Sequence, residues 1–211
     1  GEPEKPDPLN YKGFDDGSLR ALRHQLERYH TEQDQAGTKL ALTNLDHPDR
    51  FIRFAARVAL ENQALFKWET EVIRSGSPDG LLALARVGTP ASQADLVEAV
   101  CESIKQGQVD DQTLLTFLRA LQISFIRQGE PKKGTLIIVN DTLNRLYPSL
   151  SREANHELCE LLVYLETPHI IDRTLTLLEE STDTRDWSHY LVYLRYVEKG
   201  WTTERRERYL K

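Results

Sequence analysis

The chain has 211 residues and a formal net charge of −6, with 28% charged and 39% hydrophobic residues. That length suffices for one large domain or one repeat array with its own core, and 11 glycines and 9 prolines leave room for many helices. The acidic balance counts against a nucleic-acid binder, whose affinity comes mainly from phosphate neutralisation. No apolar run approaches the roughly 20 residues that cross a bilayer, which removes the membrane as a partner.

Residues 1–16, GEPEKPDPLNYKGFDD, hold three prolines, two glycines and five acidic residues and read as a linker or arm. No secretory or transit pattern is legible. The absence of methionine, together with an opening glycine, reads as a segment of a longer polypeptide. From residue 17 to 211 the text becomes a run of short amphipathic helices, expected to begin near residues 18, 36, 48, 65, 78, 90, 110, 134, 151, 168, 184 and 202.

The punctuation is chemical. Ser77-Pro78, Thr89-Pro90 and Thr167-Pro168 each set a capping hydroxyl before a proline, whose missing amide proton costs nothing at a first helical position. Gly76, Gly88, Gly107, Gly129 and Gly200 stand where helices should stop. Leu114, Phe117, Leu118, Leu121 and Phe125 form one helical stripe, as do Ala154, Leu158, Leu161, Leu162 and Leu165. The β-branched run Leu136-Ile137-Ile138-Val139 could pass as a buried strand, but Leu143, Leu146 and Tyr147 continue a helical spacing, so a helix is expected. Paired, the helices recur at intervals of about 30 to 41 residues, the mark of an α-solenoid. The expectation is therefore an all-α superhelix of about six hairpins with right-handed stacking.

The segment LDHPDRFIRFAARVALENQ (residues 45–63) resembles a HEAT repeat: a turn with Asp46, Pro48 and Asp49, then Ile52, Arg53, Ala55, Ala56 and Leu60. The resemblance implies structural roles for Pro48, Arg53, Ala55 and Ala56. Small alanines let helices approach, and the arginine after the turn bonds to a neighbouring repeat. Together with NHELCELLVYLETP (155–168) and HYLVYLRYVEKGWTTERRERYL (189–210), this stretch is similar to the helical-repeat region of large exported planctomycete-type proteins. In that family the repeats lie between a dehydrogenase-like β-propeller and a cytochrome-c-like haem domain, which implies an exported, periplasm-like compartment and a redox parent. The chain has no Cys-x-x-Cys-His and no propeller-like strands, so the segment itself is expected to hold no cofactor.

Few residues point to chemistry. Cys101 and Cys159 fall in apolar helical stretches and read as buried free thiols. His156, Cys159 and Glu160 share a helix face at metal-ligand spacing, but Cys159 belongs beside the buried stripe of Leu158, Leu161 and Leu162, and HELCE lacks the second histidine of a zinc-protease motif. His24 and His30 read as solvent-facing. The pairs Asp15-Asp16, Asp110-Asp111 and Glu179-Glu180 sit at helix ends, where carboxylates suit the dipole only at an N-terminus. No phosphate loop, dinucleotide fingerprint or Gly-x-Ser-x-Gly is present. A surface of Trp68, Arg86, Arg119, Arg127, Trp187 and Arg195 has the composition of a binding hot spot, with packing between repeats as the competing role for the tryptophans. The expected function is thus a non-catalytic interaction scaffold or inter-domain spacer, whose partner is another protein or a flanking domain of the same polypeptide. The alternative is a HEAT-like DNA glycosylase or other nucleic-acid-binding solenoid, for which Trp187 beside Asp186 is the feature to follow.

Overall fold

The computed structural model describes residues 17–107 and 109–211, so the expected arm over residues 1–16 lies outside the described residues. Among these the fold is all-α, with helices packed in chain order as in a helical-repeat protein. The helices are α1 (Gly17–Arg28), α2 (Gln35–Thr43), α3 (Arg50–Asn62), α4 (Glu69–Ser75), α5 (Pro78–Val87), α6 (Gln93–Lys105), α7 (Asp111–Gln128), α8 (Lys133–Leu146), α9 (Arg152–Tyr164), α10 (Ile170–Glu180), α11 (Thr184–Leu194) and α12 (Thr203–Leu210). Packing divides the chain into two units, residues 1–72 and 73–211, with α4 spanning the division.

In the first unit α1 and α2 both pack on α3. Asp34 caps α2 by accepting from the Gly37 amide, and Asp49 caps α3 by accepting from Phe51 and Ile52. The buried side of α3 is Ile52, Ala55, Ala56, Ala59 and Leu60. Its small residues bring α1 close enough for His30 Nε2 to donate to the Ala55 carbonyl at 3.0 Å, so His30 is half-buried rather than solvent-facing. His24 is exposed, as expected, and meets Glu27. Arg53 donates to the carbonyls of His47 (2.8 Å) and exposed Pro48 (3.0 Å). These two bonds close the turn that precedes α3. The α1–α2 turn is tied to the end of α3 by buried Gln63, whose amide nitrogen donates to the Glu32 carbonyl at 2.9 Å while its oxygen accepts from the Asp34 amide at 3.0 Å.

In the second unit α5 packs on α7, α7 on α9 and α9 on α11, while α6 packs on α8 and α10 on α12. In chain order the helices form four successive hairpins, α5–α6, α7–α8, α9–α10 and α11–α12, whose first helices α5, α7, α9 and α11 stack in one layer. Gln128 donates to the Leu84 carbonyl at 3.0 Å, and Gln93 donates to the Gly129 carbonyl at 2.6 Å, so buried amides join the first two hairpins. The run Leu136–Val139 is helical. Val139 is buried and Ile137 is 63% exposed, as one amphipathic turn requires.

The proline signals are uneven. Ser77-Pro78 opens α5 as expected, with Ser77 accepting from the Gly80 amide. Pro90 instead lies in a turn ahead of α6, and Pro168 in a turn ahead of α10. The second displacement has a visible cause. Helix α9 ends in a Schellman motif in which the Thr167 amide donates to Leu162 O (3.0 Å) and the Glu166 amide to Val163 O (3.1 Å). Glu166 occupies the left-handed position of that motif with φ 50°, so the chain needs further residues, including His169 at φ 64°, before it can turn into α10. Gly76, Gly107, Gly129 and Gly200 adopt positive φ after their helices, whereas Gly88 does not. Gly88 is required for space: a Cβ there would collide with the Leu84 carbonyl and Gln128.

Candidate interaction surface

The seam between α9 and α11 holds the densest polar network of the second unit. It follows from two stripes at helical spacing, Arg152-His156-Glu160 on α9 and Asp186-His189-Tyr193 on α11. Asp183 caps α11 by accepting from the Arg185 amide, which sets the register that turns Asp186 inward. Asp186 is buried and accepts from Arg152 Nε (2.6 Å), His156 Nε2 (2.8 Å) and Ser181 Oγ (2.6 Å). Burial opposes its ionisation, and the bonds from Ser181, Arg152 and His156 outweigh burial, leaving the carboxyl below its ordinary range.

The His156 and His189 rings stack at 4.1 Å and 12°, and His189 Nε2 donates to the His156 carbonyl at 3.0 Å. Burial, then the neighbouring His156, lowers the pKa of His189, so it stays neutral further into acid than a free imidazole. Arg152 also pairs with Asp183 at 3.2 Å, and Arg185 with Asp183 at 2.7 Å. Bonds from Arg185 hold the half-buried Asp183 carboxyl well below the usual carboxylate range. Arg152, Glu153, His156, Arg185 and His189 line an open depression on this seam.

The network continues in both directions. Tyr193 donates to Glu160 at 2.6 Å, and burial together with that carboxylate raises the phenol. Gln122 of α7 donates to Glu157 of α9 at 2.6 Å and accepts from Arg119 at 3.2 Å. Tyr164 stacks on Phe125 at 5.6 Å and remains 50% exposed. One surface of α7, α9 and α11 is thereby an aromatic, histidine and arginine ridge whose polar atoms are largely bonded to one another.

Of the residues singled out in the sequence, Arg119 joins this ridge. Trp68 does not belong to any surface: it is 1% exposed, and its Nε1 donates to the Gln63 carbonyl. Arg86 and Arg127 are exposed in the last turns of α5 and α7, where cations suit the helix dipole. Trp187 is 42% exposed with Nε1 bonded to the Ser181 carbonyl, and Arg195 is the exposed C-cap of α11. The triplet His156, Cys159 and Glu160 separates, to Asp186, Thr174 and Tyr193 respectively. Cys101 and Cys159 are free and buried, and burial pushes the Cys159 thiol up to about 11.

The sequence reading missed Asp186, His189 and Tyr193 as a set, together with Gln122 and Glu157. Their signal was available as matched polar stripes on two helices one hairpin apart. The first unit carries a separate aromatic patch that was also missed: Phe51 and Phe54 are over half exposed, with Arg50 and Arg57 over their rings at 4.7 and 5.1 Å. No family model matches the chain, and comparison with curated proteins and with solved structures likewise gives no match.

Proposed function

We propose that the chain is a non-catalytic, HEAT-like repeat module that docks another protein, or a flanking domain of its own polypeptide, on the α7–α9–α11 ridge. The observation that supports this reading is how the reactive groups are used. The Asp186 carboxylate accepts three bonds, His156 and His189 are each bonded and stacked, and both thiols are buried and protonated. A general acid or base must face a substrate with a free proton site. Here those groups hold α9 to α11, and the ridge presents exposed Arg119 and Tyr164 with half-buried Tyr193, of the arginine and tyrosine types that dominate binding hot spots. Rigid, pre-organised aromatic side chains favour docking over a passive spacer role, because little rotamer entropy is lost on binding.

A photo-crosslinking residue placed at Arg119 or His189 of the full-length native polypeptide tests this. Both positions are expected to crosslink to one partner or flanking domain, and a probe at exposed Ile137 on α8 is not. With that partner in hand, Arg119→Ala and Tyr193→Ala should each weaken binding several-fold without changing the helical circular dichroism. Equal labelling at Ile137, or unchanged affinity in both variants, would remove the ridge as the docking surface.

The resemblance to the exported planctomycete-type repeat proteins extends the proposal to an exported, redox-active parent. A visible absorption spectrum of the native full-length polypeptide tests that extension. A haem band is expected, and a colourless protein leaves a repeat module without that parentage.

A further inference from the structure

The ridge treats its carboxylates unequally. Asp186 is met by Arg152 at 2.6 Å and Asp183 by Arg185 at 2.7 Å. Glu157 and Glu160 are half-buried on α9, and among the described residues neither forms an ion pair. Their bonds come from neutral donors, Gln122 and Tyr193, each at 2.6 Å. Such a carboxylate keeps its charge while losing part of its hydration, a cost that an approaching cation offsets.

The charge left over on this face is negative. Arg119 reaches Gln122, and Gln122 reaches Glu157, so an amide stands between that guanidinium and the carboxylate. With Arg152 and Arg185 paired, Arg119 is set against Glu153, Glu157 and Glu160. Aromatic rings stand beside the same two glutamates. Burial, then the bond and charge of Glu160 and the charge of Glu157, raise the Tyr193 phenol, so both carboxylates act on that ring. Tyr193 lies 4.6 Å from His189. Tyr164 falls one helical turn beyond Glu160, stacked on Phe125 and 50% exposed. Carboxylates beside ring faces suit a cation that can use both.

We propose that the partner of the ridge presents a basic segment, one of whose arginine or lysine side chains seats against the Tyr193 and Tyr164 rings and pairs with Glu157 and Glu160. The proposal rests on the ridge being the docking surface and names the chemistry of what docks there. An acidic segment would meet an excess of like charge, and an apolar one would bury two carboxylates with no counter-ion. Arginine fits best, because its planar guanidinium bonds a carboxylate through two parallel N–H groups and also stacks on tyrosine. The acidic chain, at −6, steers such a segment inward.

Fluorescence anisotropy of a labelled oligo-arginine peptide, titrated with the full chain at low salt, tests the proposal. Binding that added salt weakens is expected. Glu157→Gln combined with Glu160→Gln should lower affinity about tenfold. Those amides keep a carbonyl oxygen for Gln122 and Tyr193, so helical circular dichroism should not change. Glu204→Gln combined with Glu207→Gln removes the same charge from α12 and should change affinity less than about twofold. Tyr164→Leu alters no charge and should weaken binding several-fold. No binding, equal loss in the two charge-removing variants, or unchanged binding in Tyr164→Leu would each overturn the proposal. Crosslinking from Arg119 and His189 separates its failure from that of the docking reading. A native partner held there through an acidic or uncharged segment overturns the basic-segment proposal and leaves docking intact. Capture through an arginine- or lysine-rich segment supports both, and no capture from either position removes both.

Discussion

Asp186 and His189 are the two residues whose ionisation most directly couples to the stability of the α9–α11 seam. Both have pKa values lowered by the fold, one as an acid and one as a base, and the sign of the effect is the same for each. A group with a depressed pKa binds fewer protons folded than unfolded, so stability is present above its unfolded pKa and is lost as pH falls. For His189 the loss begins below the ordinary imidazole value of 6.5, and for Asp186 below the ordinary carboxylate value of 3.8. His189 is faced by His156, Glu157, Glu160, Tyr190 and Tyr193. Thermal melts should therefore show a falling midpoint between pH 7 and 5, and His189→Gln should flatten that limb while leaving the more acidic one. An unchanged pH profile in the variant would show that the histidine stack is not coupled to folding. The sequence displayed each of these residues but not their meeting, because the partners of Asp186 lie 30 and 34 positions away on another helix.

At the scale of single helices the legible features were those with local causes. Expected starts near 78 and 184 fall on the first residues of α5 and α11, where Ser77 and Asp183 cap as their chemistry dictates. The starts of α4, α6 and α10 fall a few residues later than expected, each after a turn that the spacing of apolar residues does not mark. Gly37 shows the same division. In an isolated helix, glycine to alanine stabilises by about 1 kcal/mol through backbone entropy. Inside α2 the added methyl would collide with the Tyr29 ring, so the sign inverts. Gly37→Ala should lower unfolding free energy by about 1–3 kcal/mol in denaturant titration, and a stabilised variant would mean that Tyr29 can move aside. Glu166 offers the opposite case. Its left-handed backbone strains a side-chain-bearing residue, and its contact to Lys199 is exposed at 3.7 Å. Glu166→Gly should raise stability by about 1 kcal/mol, read as a higher thermal midpoint, and an unchanged or lower midpoint would place the strain elsewhere.

Over the whole molecule, the repeat period and the all-α class were readable because they arise from apolar spacing and helix caps, which are properties of short segments. The ridge was not, because it is made by adjacency of successive hairpins. The charge balance at this scale also bears on the nucleic-acid alternative. Arg152 and Arg185 on the ridge are already neutralised by Asp186 and Asp183, so little free cationic surface is left there to displace counterions. A short DNA duplex titrated at low salt should show no tight, steeply salt-dependent binding, and such binding would revive that alternative. The stacking carries one more implication, which concerns how the chain can evolve. Each junction in the second unit uses a different polar pairing: Gln128 with Leu84 between α7 and α5, Gln122 with Glu157 between α7 and α9, Arg152 with Asp186 between α9 and α11, and Arg205 with Asp172 between α12 and α10. These act as addresses. A hairpin duplicated, deleted or exchanged would present a carboxylate or an amide to a neighbour lacking its counterpart, and the misplaced group would be stranded at the new junction. The module is built from similar parts that have ceased to be interchangeable, so its length changes only when two matching edges change together.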